Sequence, residues 1–170
     1  MKEFDWKRLG NLESGRKNLG DMMPVSVYRL MQYTISDCLE EEVGKDTAYK
    51  IIRKSGLLAG IAFAKNILDL SLDFTGFVNN LQQALRDFKI GVLKIEKADI
   101  ESLHFILTVS EDLDCSGLPI IGEAVCIYDE GFIAGILFAY TNVEFEVTEI
   151  DCWATGDRTC RFEAKPKNVK

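Results

Sequence analysis

The stretch Val143-Glu144-Phe145-Glu146-Val147-Thr148-Glu149-Ile150 alternates apolar with polar residues, and Thr155-Gly156-Asp157 then interrupts it before Thr159 to Ala164. Strict alternation is the signature of a strand with one face in a core and the other in water. A Gly-centred turn between two such runs makes a hairpin. Cys152 and Cys160 are equidistant from Gly156. In a regular hairpin they face each other, with Cβ atoms about 4.5–5.5 Å apart. Glu149 precedes Cys152 by three residues, which in a regular strand puts the two on opposite faces. A bulge near Ile150-Asp151 would bring both to one side.

Upstream of the hairpin, the stretch Gly122 to Tyr140 reads as a helix, with Val125, Tyr128, Phe132, Ile136 and Ala139 on one stripe. Cys126 then falls in its first turn, where unpaired amides and the helix dipole favour a thiolate. Three thiolates and one carboxylate (Cys126, Glu149, Cys152, Cys160) suit tetrahedral zinc, and four protein ligands leave no open position, so the site is structural. Spacing alone leaves an alternative open: Cys126 as a core residue, with Cys152 and Cys160 a reduced cross-strand pair.

Further out, Gly91 to Glu96 and Leu103 to Val109 read as two more strands joined near Ala98-Asp99. Three helices precede them. The first follows Pro24, which suits a helix start, and ends at Gly44. The second runs from Asp46, read as its N-cap, to Leu68. The third runs from about Asp73 to Phe88. Residues 1–23 read as a polar, Gly-punctuated arm. The fold class expected is α+β within a single domain over 1–170. Gly56/Gly60 and Gly131/Gly135 lie one turn apart on their helices, and such small-residue faces would let helices of two copies pack closely in a homodimer.

The chain has 170 residues, which can bury a real core. Its 47% hydrophobic and 28% charged residues are the balance of a globular protein. The net charge of −7 repels phosphate backbones and anionic headgroups, so neither nucleic acid nor an electrostatic membrane anchor is expected. The N-terminus has no apolar run of a signal peptide, and no apolar stretch approaches the ~20 residues of a membrane span. A cytoplasmic location is expected, where cysteines are metal ligands, core residues or reactive thiols more often than disulfides. No Gly-rich dinucleotide loop, phosphate loop or nucleophile elbow is present in the sequence. Cys38 reads as a core residue, Cys115 as an inert loop thiol, and Trp153 as a cover over the metal site. His104, between Leu103 and Phe105, reads as a solvent-facing strand residue.

The segments Gly122 to Cys126, Gly131 to Gly135, Glu149 to Asp157 and Cys160-Arg161-Phe162 together resemble the vinyl-4-reductase-like domain. The likeness is specific over about 118–164 and looser over 17–65, where Leu19-Gly20-Asp21 and Pro24 to Leu30 also look like the family. That resemblance implies a twisted antiparallel sheet packed with helices, similar to ligand-binding domains of nitric-oxide signalling and Golgi transport proteins. The family includes sensor domains of phenol- and toluene-responsive regulators. Those similar to this chain bind zinc through Cys, Glu, Cys and Cys at the intervals found here, which implies one structural zinc on Cys126, Glu149, Cys152 and Cys160. The regulators' ATPase and DNA-binding domains have no counterpart in this sequence. The function implied is binding of a hydrophobic small molecule, as sensor or carrier. The alternatives are a partner-binding scaffold like the Golgi tethering subunits, or an accessory protein or reductase acting on tetrapyrrole vinyl groups. The residues that would contact a ligand are not given by the resemblance.

Overall fold

Pro24, at φ −61°, starts the first long helix, α2 (Val25–Val43), and Gly44 ends it at φ 77°. The positive φ is the left-handed backbone that glycine adopts without penalty. In this computed structural model, which describes residues 3–167, the same Gly44 also caps α3 (Lys45–Ile67). Asp46, expected as that cap, lies instead in the first turn, where its charge still favours the helix N-terminus. The arm before α2 holds a 3-10 turn at Trp6–Leu9 and the single turn α1 (Leu12–Gly15), both exposed on most sides. Asp73 caps α4 (Phe74–Asp87) by accepting from the Gly76 amide at 2.8 Å.

The four strands β1 (Val92–Asp99), β2 (His104–Ser110), β3 (Phe145–Asp151) and β4 (Cys160–Pro166) form one sheet in the order β1-β2-β4-β3. All neighbours are antiparallel. Helix α5 (Ile127–Thr141) carries the chain from β2 across to β3 and ends at Asn142 in left-handed conformation. It starts later than periodicity predicts: Gly122 to Val125 are irregular, and Cys126 is the N-cap rather than a first-turn residue. Alternation does decide which sheet face is buried. Leu93, Phe105, Leu107, Phe145, Val147 and Phe162 point into the core. Helix α5 packs on β3 and α4 on β1.

The small residues of α3 and α5 have a use inside the chain. A Cβ on Gly56 would run into the Tyr128 carbonyl, one on Gly60 into that of Phe132, and one on Gly131 into that of Arg53. The two helices cross backbone to backbone, and this is the most extensive contact between elements among the described residues. These faces therefore cannot serve a dimer, as their sequence spacing suggested. Helix α2 is the opposite case. None of its residues is buried, and Leu30, Met31 and Ile35 are 68%, 54% and 52% exposed. Cys38, expected in the core, is on this outer helix and exposed.

Candidate metal centre and adjoining cavity

The hairpin register breaks between Glu149, opposite Phe162, and Asp151, opposite Arg161. Ile150 is the extra residue of a bulge, as the spacing of Glu149 and Cys152 required. The bulge turns the end of β3, and a 3-10 turn at Trp153–Thr155 with Gly156 at φ 112° completes the connection. Cys160 opens β4, where its neighbour across the sheet is Val109 of β2. Cys126 reaches the same point from the N-cap of α5. The Cys126 sulfur lies 4.0 Å from that of Cys152 and 3.7 Å from that of Cys160. Sulfurs around a tetrahedral zinc, with Zn–S about 2.3 Å, sit about 3.8 Å apart.

A fourth sulfur completes the cluster. Cys115 Sγ is 2.9 Å from Cys160 Sγ, and all four thiols lie within 4.8 Å of one another, each with no exposed surface. Cys115, read from the sequence as an inert loop thiol, is thus a member of the site. The sequence held one signal of this, a cysteine ringed by aspartates (Asp112-Leu113-Asp114-Cys115). Without an alternation or helical period, nothing indicated where the loop folds.

Glu149 adjoins the cluster. Its Oε2 accepts from the Cys126 amide at 3.1 Å, and its Oε1 is buried with no hydrogen-bond partner. Its own amide donates to Glu130 Oε1 at 2.9 Å, and Arg53 of α3 pairs with Glu130 Oε2. Burial, then the neighbouring Cys152 thiol, pushes the Glu149 carboxyl up to about 8. The Cys152 thiol is held well below its usual value, because Cys115, Cys126 and Cys160 can all donate to its thiolate; Cys126 and Cys160 are pushed well up as a result. Left to itself the cluster favours a single thiolate. A divalent cation would release the other protons and give Glu149 Oε1 a partner. The residues therefore fit a zinc ion.

Helix α2 holds the Cys115 loop. Tyr28 and Gln32 donate to the two oxygens of Asp114 at 2.8 and 2.7 Å, and Tyr33 donates to its carbonyl. Arg29 donates to the carbonyls of Asp112, Leu113 and Ser116. Burial, and then Asp112 nearby, raises Asp114 to about 6. Trp153 is half-buried and its indole donates to the Leu118 carbonyl at 3.0 Å, which lays the ring over the far side of this loop. His104 pairs with Glu163 at 2.9 Å on the outer sheet face and lines no cavity.

Between α4, α5 and the sheet lies a cavity of about 60 Å³, where one water needs about 10–15 Å³. Phe77, Leu81, Leu93, Phe105, Phe132 and Ile136 are among its walls, and its one polar region is formed by Asp112 and Asp129. A second, open groove of about 560 Å³ separates α2 from α3, along Met31, Ile35, Tyr49, Ile52, Ile121 and Tyr128.

Fold and site together define an α+β domain with an apolar cavity beside a buried cysteine cluster. Residues 105–166 match the vinyl-4-reductase domain family, and the chain carries a domain of that family there. Protein MJ1642 of Methanocaldococcus jannaschii is 26% identical over 149 residues, 88% of this chain and 81% of that protein. The fold is similar to that of the phenol-responsive sensory domain of the transcription activator PoxR, solved with phenol (TM-score 0.66, 14% identity, 86% of this chain and 76% of that one). A vinyl-4-reductase family protein from M. jannaschii matches at TM-score 0.64 and 16% identity over 99% of both chains. A trafficking protein particle complex subunit 3 from Naegleria fowleri, covalently bound to palmitic acid, matches at TM-score 0.63 and 11% identity over 85% of this chain and 95% of that one. An H-NOX protein from S. oneidensis shares the fold at TM-score 0.52 and 14% identity, over 81% of this chain and 74% of that one. The expected kinship with domains of nitric-oxide signalling and Golgi transport proteins holds at the level of fold. No helix among the described residues is long and apolar enough to cross a membrane.

Proposed function

We propose that the chain is a single, zinc-stabilised domain that binds a hydrophobic small molecule, as a sensor or carrier. The observation that carries this reading is the apolar cavity between α4, α5 and the sheet, walled on one side by the element that bears the metal cluster. Concave, mostly apolar sites with a few polar groups are the usual form of small-molecule sites. The PoxR domain and the trafficking subunit are named with phenol and palmitic acid, which supports a ligand in this fold.

In this reading zinc ties residues 118–164 together. Cys126, Cys152 and Cys160 are common to two donor sets. Glu149 completes the one implied by the sequence motif; Cys115 completes an all-thiolate set. The distances favour Cys115, because its sulfur is within the group while Glu149 is engaged with the Cys126 amide. Unbridged buried thiols also suit the reducing cytoplasm. The exposed apolar face of α2 supports a homodimer or a scaffold role, since such faces on folded proteins are commonly covered by a partner. Native mass spectrometry of protein purified without chelator tests both halves of the proposal. One zinc per chain with a retained or added apolar guest is expected. Zinc without any guest, across a panel of small aromatics and alkanes, would remove the ligand-binding reading and leave the scaffold.

A further inference from the structure

One wall of the cavity is unlike the others. Asp112, from the loop after β2, and Asp129, from the first turn of α5, enter a lining that is otherwise hydrocarbon. One oxygen of each lies within 4.8 Å of the other and of Cys126 Sγ. Asp112 Oδ1 accepts from the amides of Asp114 and Cys115 at 2.8 and 3.0 Å. Asp129 Oδ2 is buried and has no hydrogen-bond partner.

No cation answers these two carboxylates. Among the described residues neither forms an ion pair. Arg29 donates to the carbonyls of Asp112, Leu113 and Ser116, and Arg53 is committed to Glu130. The neighbouring Asp114 is already served by Tyr28 and Gln32. An isolated buried carboxylate is among the costliest groups to take out of water. A pair of them at the edge of an apolar cavity is complementary to a guest that brings a positive donor with it.

We propose that the guest is an apolar amine: a small hydrocarbon body against Phe77, Phe105 and Phe132, with one protonated amino group at Asp112 and Asp129. The proposal rests on the cavity being the ligand site. An ammonium offers three N–H donors and a full charge to two carboxylates, whereas a hydroxyl offers one donor and no charge. The cavity volume admits a guest of about one small ring, several times the space of one water.

The test uses the zinc-replete full chain and three guests of matched shape: benzylamine, benzyl alcohol and toluene. Affinities are read by calorimetric titration for the wild type and for Asp129→Asn, with zinc content and toluene affinity as checks that the variant is folded. Benzylamine is expected to bind about ten-fold or more tightly than toluene, as charge-assisted hydrogen bonds do. In Asp129→Asn that advantage is expected to vanish while toluene binding is unchanged. Equal binding of all three guests, a preference for the alcohol, or an amine preference that survives in Asp129→Asn would each overturn the amine proposal and leave the cavity as a ligand site. Failure of all three to bind would overturn the cavity reading, and this inference with it. A second zinc taken up per chain by the wild type and lost in Asp129→Asn would identify the cation as a metal ion and overturn the amine.

Discussion

Cys152 sits where β3 leaves the sheet, fully buried, with three other thiols within 4.8 Å. Replacing it by serine removes a donor common to both ligand sets. Cys152→Ser is expected to lose the metal and to lower stability by several kcal/mol, roughly 3 or more, because metal binding and folding are coupled. Metal content and a urea melt check this together; a variant that melts like the parent would contradict it. The fourth ligand is decided by two further substitutions. If Cys115 fills the position, Cys115→Ser abolishes tight zinc binding, and Glu149→Gln weakens it only about 10- to 100-fold, as loss of an outer partner does. Competition with a chromophoric chelator ranks the two, and the reverse order would give the position to Glu149. At this scale the sequence spoke clearly for residues held in regular structure. The spacing of Glu149 and Cys152 demanded a bulge near Ile150, and the register breaks there. It was silent on Cys115, Asp112 and Asp129 as a group, because a loop and a helix cap without periodicity bring them together.

The elements show the same divide between local and long-range information. Apolar periodicity and caps located α2, α3, α4 and the four strands to within a few residues. They misread what α2 and α3 face. The apolar residues of α2 have helical spacing, yet the structure turns them to solvent, and its inward contacts are the polar ones made by Tyr28, Arg29, Gln32 and Tyr33. Polar contacts of that kind depend on a partner loop more than 80 residues away in sequence. The glycines of α3 and α5 were legible as sites of close approach, but not as partners of each other. Their role gives a second prediction. In Gly131→Ala the new methyl group meets the Arg53 carbonyl, so α3 and α5 must separate. A loss of about 2–3 kcal/mol is expected, in the range for overpacking a closely fitted contact. Chemical denaturation reads it, and a change below about 0.5 kcal/mol, the scale of ordinary surface substitutions, would show that the crossing yields easily.

For the whole molecule the balance of charge is the decisive feature. The chain carries −7 overall, and it also gathers Asp112, Asp114, Asp129 and Glu149 around four thiols in its interior. Burial and mutual repulsion push these carboxyls up, Asp129 furthest. A dication offsets that cost directly, so removing it is expected to lower the melting temperature by about 10 °C, for a loss of about 3 kcal/mol in a chain of this size. A chelator titration followed by a thermal melt checks this, and re-added zinc should restore the parent curve. The outer face of α2 makes a separate prediction about assembly. Leu30→Glu puts a charge into the most exposed apolar position of its central turns and is expected to convert a dimer into monomers in analytical ultracentrifugation. A wild type that is already monomeric at tens of micromolar (roughly the range of weak but specific dimers) would contradict the dimer.

A metal ion at the cysteine cluster, beside a ligand cavity, is the central claim. Native mass spectrometry of the chain purified without chelator, set against its denatured mass, tests it most directly. One zinc per folded chain is predicted, with the four buried thiols protected from alkylation until the ion is removed. A folded chain without metal, whose Cys115, Cys126, Cys152 and Cys160 alkylate freely, would contradict it.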